Sequence, residues 1–193
     1  MQDKEKWERD YKSGVWDRLT DNKDSIHCKI VASYVQKKGT KQSVLDAGCG
    51  AGGILKHLDL NLIDKYTGVD IAQTALDKIA PKRSQDEYIC SSLEDYIPNG
   101  QWDVILFNEV LYYMSDPVAQ IRRFENSLKP EGFFVIAMYK KKRYFSWNDR
   151  CVRRLRRYMQ QASYAFDDAI ELSNIDGSAA WEIFRVRPSH DSI

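Results

Sequence analysis

Residues 44–53 read VLDAGCGAGG, a short apolar run that ends on Asp46 and breaks into glycines. A strand running into such a turn and then a helix leaves backbone N–H groups free to hold a polar ligand. The string satisfies G-x-G-x-x-G through Gly48, Gly50 and Gly53, a dinucleotide pattern that is weak evidence when it stands alone. Asp46, two residues before the first glycine, would repel a pyrophosphate if buried. S-adenosyl-L-methionine carries no phosphate and offers an ammonium and a sulfonium, which an acid there attracts. Asp70 closes the run Tyr66-Thr67-Gly68-Val69, 20 residues beyond Gly50. A carboxylate at that spacing accepts hydrogen bonds from both ribose hydroxyls, in nicotinamide dinucleotide and S-adenosyl-L-methionine sites alike. Asp70 therefore implies an adenosyl ligand without choosing between them. A tight turn alone would explain the glycines and neither acid.

The second group of reactive residues follows the apolar run 102–108 and reads Asn108-Glu109-Val110-Leu111-Tyr112-Tyr113. If the adenosyl ligand carries a sulfonium, its methyl group would leave by in-line displacement, in which alignment supplies much of the rate. What remains is to present a lone pair or remove a proton from the acceptor. Glu109 serves as a base, as an anchor for a substrate cation, or as a helix-capping or structural carboxylate, and Tyr112 and Tyr113 either line an acceptor pocket or pack. His27, on an N-terminal helix, either reaches the same pocket or is a surface or core histidine, whereas His57 and His190 are expected to stand apart. The cysteines at 28, 49, 90 and 151 form no C-x-x-C pair and no zinc spacing with histidine, so no metal is expected.

The elements that must position these groups alternate. Apolar spacing predicts a helix over 24–38, a strand over 43–46, a helix over 52–58, a strand over 66–70 and a helix over 72–79. A short strand at 87–90 and strands at 102–108 and 133–139 follow, the last two continuous enough to be buried on both faces. Between them lies an amphipathic helix over 118–128, stopped by a Lys129-Pro130-Glu131-Gly132 turn. A helix over 148–162 and two strands near 168–173 and 180–186, joined through Asp176-Gly177, form an antiparallel C-terminal hairpin. This is an α/β pattern: a mainly parallel seven-stranded sheet, helices on both faces, and the hairpin completing it.

In this order and spacing the chain resembles the class I S-adenosyl-L-methionine-dependent methyltransferases, a Rossmann-like fold. VLDAGCGAGG is similar to their first motif, GVDIA to the acidic second, and FNEVLYYMSDP and LKPEGFFVIAMY to later ones, covering roughly residues 40–140. The resemblance implies that Asp46, Gly48, Cys49 and Gly50 line the methionine end, Asp70 holds the ribose and Ile71 packs on adenine. It also implies that Asn108 lies near the reacting centre. Many members carry an Asp facing the adenine amine where this chain reads Cys90-Ser91-Ser92-Leu93; Ser92 can still hydrogen-bond and Leu93 can still cover the ring. The spacing WxxxYxxGxW of Trp7, Tyr11, Gly14 and Trp16 resembles a segment that small members, including the rhizobial nodulation N-methyltransferases, fold over the cofactor. Ubiquinone-type O-methyltransferases read Glu-Val-Leu-Glu-His where this chain has Glu109 to Tyr113, so Tyr113 takes the histidine's place. The (Asp/Asn)-Pro-Pro-aromatic signature of base methylation is absent, and nucleic acid is not expected as acceptor.

Composition bounds the rest. With 193 residues, 43% apolar and 30% charged, one domain with a genuine core is expected. Its parts are N-terminal cap helices (1–40), a cofactor-binding core (41–139), a basic helical element (140–165) and the hairpin (166–193). The 29 basic and 28 acidic residues nearly cancel, and the longest apolar run has seven residues, so neither a membrane nor a strongly charged partner is implied. The start MQDKEKWERD has no apolar segment, and four sparse cysteines suit a reducing compartment, so a cytoplasmic protein is expected. Residues 140–157 nevertheless hold nine basic residues against one acid. They form a solvated face, a site for an anionic or carrier-bound acceptor, or an RNA or protein docking surface. The expected reaction is methyl transfer to an N or O atom of a small molecule, the alternative being a non-catalytic cofactor-binding module.

Overall fold

The computed structural model describes residues 3–17, 25–80, 82–140, 146–162, 164–175 and 180–188. Helix α1 (Lys4–Lys12) and helix α2 (Ile26–Val35) precede β1 (Gln42–Ala47), β2 (Ile63–Asp70), α3 (Gln73–Asp77) and β3 (Glu87–Cys90). Then come β4 (Trp102–Asn108), α4 (Pro117–Glu125), β5 (Leu128–Lys140), α5 (Trp147–Gln161), β6 (Ala165–Ser173) and β7 (Ala180–Arg187). The seven strands form one sheet in the order β3-β2-β1-β4-β5-β7-β6. The first five are parallel, and β7 joins β5 and β6 antiparallel, as the alternation of strand and helix implied.

Period-two alternation divides the core. Leu45, Ile105, Phe107, Phe134 and Ile136 face α4 and α5, whereas Val44, Val104, Leu106, Phe133 and Val135 face α2. Both faces are therefore apolar, and the central strands read as continuous hydrophobic runs. Helix α4 starts where Asp116 accepts hydrogen bonds from the backbone N–H groups of Val118 and Ala119, with Pro117 at its first position. Its buried Ile121 and Phe124 pack on the sheet, Phe124 meeting Phe107 edge-on at 5.3 Å between ring centres.

Three expectations change. No α-helix forms over 52–58: the glycine turn stays open through residue 54, and only a short 3-10 turn, Leu55–His57, follows. The helices expected over 24–38, 72–79 and 118–128 are shorter, Ile26–Val35, Gln73–Asp77 and Pro117–Glu125. Lys129-Pro130-Glu131-Gly132 is not a separate turn but the irregular start of β5, where Leu128 already pairs with Trp102 and the register shifts before Val104. A side chain at position 132 would come within 2.9 Å of the carbonyl oxygens of both Lys129 and Trp102, so the glycine permits strand pairing through a bulge. The Asp176-Gly177 turn lies outside the described residues. No helix among the described residues is long and apolar enough to cross a membrane.

Because Phe124 is fully buried against Phe107 and Tyr96, Phe124→Ala should cost about 3–5 kcal/mol. Urea denaturation should show a lower midpoint with an unchanged slope, since the loss is one of packing rather than of compactness.

Candidate functional site

The carboxyl ends of β1, β2 and β4 open into one cavity that the N-terminal segment also lines. The loop after β1 is laced to β2: the N–H groups of Gly48 and Cys49 both donate to the Val69 carbonyl at 2.8 and 3.0 Å. Gly50 N–H donates to Asp70 Oδ2 at 2.9 Å. Gly48 (φ +83°) and Gly50 (φ +53°) both adopt the left-handed conformation. A side chain on Gly48 would overlap Val110 at 2.5 Å, and one on Gly50 would meet the Tyr11 hydroxyl at 2.6 Å. The glycines thus serve both the turn and the close approach of neighbouring side chains.

Two aspartates stand in this cavity, besides Glu109. Asp46 is 1% exposed; its Oδ2 accepts the Tyr66 hydroxyl at 2.6 Å, and its Oδ1 has no partner. Burial pushes Asp46 up to about 7; the Tyr66 hydrogen bond opposes this and the charge of Asp70 adds to it. Asp70 accepts from Ala72 N–H and Gly50 N–H at 2.9 Å each, and burial raises it despite these bonds. The Ile71 N–H also lowers it by hydrogen bonding, and a carboxylate with about four lone-pair sites can still accept a further donor. Cys49, Ile71, Leu93 and Asn108 also line the cavity, and Asn108 Oδ1 is buried without a partner. Ser92 does not line it: its hydroxyl binds Asp95 Oδ2 at 2.6 Å and accepts from the Asp95 N–H, closing a local turn. A Ser three residues before an Asp has a local partner, which outcompetes the longer reach expected of it.

The N-terminal segment contributes Trp7, Tyr11 and Trp16 to the lining. Trp7 stacks on Trp16 at 5.6 Å and meets Tyr113 edge-on at 4.9 Å. Helix α3 has no capping side chain of its own. Glu8 of α1 supplies one, accepting from the Gln73 N–H at 2.7 Å, from the Thr74 N–H and from the Thr74 hydroxyl. Lys78 in turn donates to the Tyr11 carbonyl and to Asp17. Residues 7, 11 and 16 are thereby tied to the element that follows Asp70. The sequence spacing suggested the aromatic lining; nothing local signalled the cap.

Glu109 is the one non-glycine residue with positive φ (+55°) among the described residues, and its N–H donates to the Ala137 carbonyl at 2.7 Å. Its carboxylate lies 3.0 Å from His27 Nε2 and accepts the Trp181 indole N–H at 2.8 Å. His27 Nδ1 meets the Ser25 hydroxyl at 2.7 Å, and the Cys28 thiol lies 3.3 Å from Nε2. Burial opposes a charged imidazole, but hydrogen bonds to Cys28 and Glu109 and their charges prevail and raise His27 to about 9. Tyr112 and Tyr113 also line the cavity, burial raising both hydroxyls and the Glu109 charge adding to it. The structure thus brings His27, Glu109 and Tyr113 together, as their proposed shared role requires, and adds Ser25 and Trp181, which no motif in the sequence marked. His57 does not line the cavity, and His190 lies outside the described residues.

The basic segment is less free than its count implied. Of its arginines, Arg153 pairs with Asp149, Arg154 with Asp116 at 3.1 Å, and Arg156 with buried Glu182 at 2.5 Å. Residues 141–145 lie outside the described residues. Among the described residues no group of three or more His, Cys, Asp or Glu is disposed to hold a metal ion.

The raised His27 makes stability depend on pH. Its contribution is fully present below the ordinary histidine pKa of about 6.5 and disappears as pH rises through about 9. Cys28 raises His27 as well as Glu109 does, so Glu109→Gln removes only part of this contribution: the difference in unfolding free energy from wild type should be largest near pH 6 and shrink towards pH 10. Chemical denaturation across that range measures it.

The model of the Methyltransf_23 family, described as a methyltransferase domain, matches residues 21–181. The ubiquinone biosynthesis O-methyltransferase of Xanthomonas campestris pv. campestris is 30% identical over 164 residues, covering 81% of this chain and 66% of that protein. The enzyme of the same name from Actinobacillus pleuropneumoniae is 32% identical over 113 residues, covering 51% of this chain and 47% of that protein. The chain thus spans between about half and two thirds of the length of these relatives. The crystal structure of N-methyltransferase NodS from Bradyrhizobium japonicum WM9, in complex with S-adenosyl-L-homocysteine, superposes with a TM-score of 0.76. At 18% identity it covers 96% of this chain and 98% of its own, a likeness of fold. The match over most of the chain, on a sheet with this strand order, places the protein in the methyltransferase-domain family.

Proposed function

We propose that the protein transfers the methyl group of S-adenosyl-L-methionine to an N or O atom of a small molecule. The observation that carries this reading is the pair of buried carboxylates, Asp46 and Asp70, in one cavity with backbone N–H groups and no lysine or arginine among the described residues that line it. The unpartnered Asp46 Oδ1 fits an ammonium, because a buried acceptor without a donor costs about 1–3 kcal/mol that such a ligand removes. Asp70 binds the ribose hydroxyls through its remaining lone pairs, Ile71 and Leu93 sandwich the adenine, and the Gly48–Gly50 backbone and Cys49 flank the methionine end. Trp16 covers the cavity and the Asn108 amide faces the sulfonium end. A bound S-adenosyl-L-methionine supplies an electrophilic methyl group.

The chain's own work is alignment, exclusion of water and handling of one proton. Trp7, Tyr11, Trp16, Tyr112 and Tyr113 form an aromatic wall that excludes water and fits a small acceptor. The acceptor's N–H or O–H donates to Glu109, which takes the proton as the new bond to carbon forms; His27 and Tyr113 fix its surroundings. The single-domain division into cap, core, basic element and hairpin is part of this proposal.

Titration calorimetry with S-adenosyl-L-homocysteine, with NADH as control, tests it. Wild type should bind the former and not the latter, and Asp70→Ala should weaken binding at least about tenfold, the cost of two hydrogen bonds to a charged group. Binding of NADH alone would overturn the reading. Once a ligand is seen, transfer of labelled methyl to a panel of small amines and hydroxyl compounds separates an enzyme from a binding module.

Asp46 adds a second expectation. An ammonium beside it should drive its pKa well below 7, so that ligand binding at pH 7 releases about half a proton. The release should vanish near pH 9, where Asp46 is already ionised, and in Asp46→Asn. Calorimetry in buffers of different ionisation enthalpy reads it directly.

A further inference from the structure

Three segments distant in sequence converge on the Glu109 side chain. Glu109 leaves β4 in a left-handed conformation that costs on the order of 1 kcal/mol for a residue with a side chain. Such strain persists only where the surroundings hold it. His27 comes from α2 and Trp181 from β7, and both touch Glu109 Oε1, at 3.0 and 2.8 Å. The Trp181 indole also lies flat on the His27 ring, with centres 4.6 Å apart and planes 7° from parallel. Trp181 is itself held by Tyr139, its register partner on β5, at 5.4 Å. His27 and Glu109 line the cavity; Trp181 does not.

We propose that Trp181 is a positioning residue that clamps the His27–Glu109 pair against the methyl-acceptor end of the cavity. Its N–H fixes the rotation of the carboxylate, and its face fixes the plane of the imidazole. Oε1 of Glu109 is then held by His27 and Trp181, the Tyr112 hydroxyl also hydrogen-bonds the carboxylate, and the acceptor's proton goes to the lone pair that these bonds leave. In that step the carbon–sulfur bond of the donor breaks as the bond from carbon to the acceptor N or O forms. The acceptor's proton passes to the carboxylate, and the sulfonium becomes a neutral thioether. Ser25, 2.7 Å from Nδ1, holds the far side of the ring. The charged and titratable groups facing His27 are Glu109 from the loop after β4, Cys28 on its own helix, and His57 from the 3-10 turn, whose charge is coupled to it. The role in transfer rests on the proposed function; the clamp itself does not.

The test is nuclear magnetic resonance titration of histidine-labelled protein, free and with S-adenosyl-L-homocysteine, in wild type, Trp181→Leu and Trp181→Phe. In wild type His27 should titrate near 9, and Trp181→Leu should bring it back towards about 6.5 as the ring swings away from the carboxylate. Trp181→Phe, which keeps a stacking face and loses only the N–H, should lie between them. A merely structural tryptophan would lower the melting temperature and leave the His27 titration where it was. Unchanged titration in both folded variants overturns the clamp, as does an ordinary value in wild type. If Trp181→Leu does not fold, the titration of Trp181→Phe alone decides between these outcomes. Failure of wild type to bind S-adenosyl-L-homocysteine would overturn the cofactor reading separately, since the free-protein titration still reads the clamp.

Discussion

Parallel pairing is the constraint from which the rest of this site follows. Five parallel strands in the order β3-β2-β1-β4-β5 bring all their carboxyl ends to one edge of the sheet. Between β1 and β4 the order of connection reverses, and the loops leaving the two strands diverge to opposite faces, opening a crevice. Asp46 lies near the end of β1, Asp70 ends β2 and Asn108 ends β4, so three polar groups scattered through the chain meet in that crevice. The apolar runs that make these strands bury both sheet faces, and the polar residues are left for the ends.

Concentrating acids in a buried cavity works against stability. Burial raises both Asp46 and Asp70, and the charge of Asp70 raises Asp46 further, because neither is paired with a cation among the described residues. A protein gains little by such an arrangement unless a ligand supplies the positive charge. At the other end of the cavity the solution differs: Glu109 is matched by the imidazole of His27 and by the Trp181 indole, and the stress resides in a left-handed backbone instead. One end holds two acids with no cation beside them among the described residues, and the other already carries its counterion.

Both chain ends contribute to what the central sheet begins. Helix α1 has no buried residue, yet its Glu8 caps α3 and its Trp7 and Tyr11 line the cavity. A helix held by polar bonds and ring contacts rather than by a buried face opens at lower free energy than the core. The C-terminal hairpin, by contrast, is continuous with the sheet through β7, whose Ile183, Phe184 and Val186 are buried. It is the side from which Trp181 reaches Glu109.

What the sequence determined by itself is local. The glycine turn with Asp46 and the ribose-spaced Asp70 were legible because turn chemistry and strand ends are written in neighbouring residues. The alternation of strands and helices was legible because burial on two faces imposes long apolar runs. Helix ends and the 52–58 segment were less so, since glycine turn geometry and strand bulging are settled by what packs alongside. Only the tertiary structure decided that Ser92 turns to its own Asp95, that Arg153, Arg154 and Arg156 have carboxylate partners, and that Glu8 caps a helix 66 residues away. It alone paired Trp181 with Glu109 across 72 residues. A hydrogen bond between segments so far apart leaves no periodicity and no spacing in the chain, because its geometry exists only once the sheet has brought both strands into register.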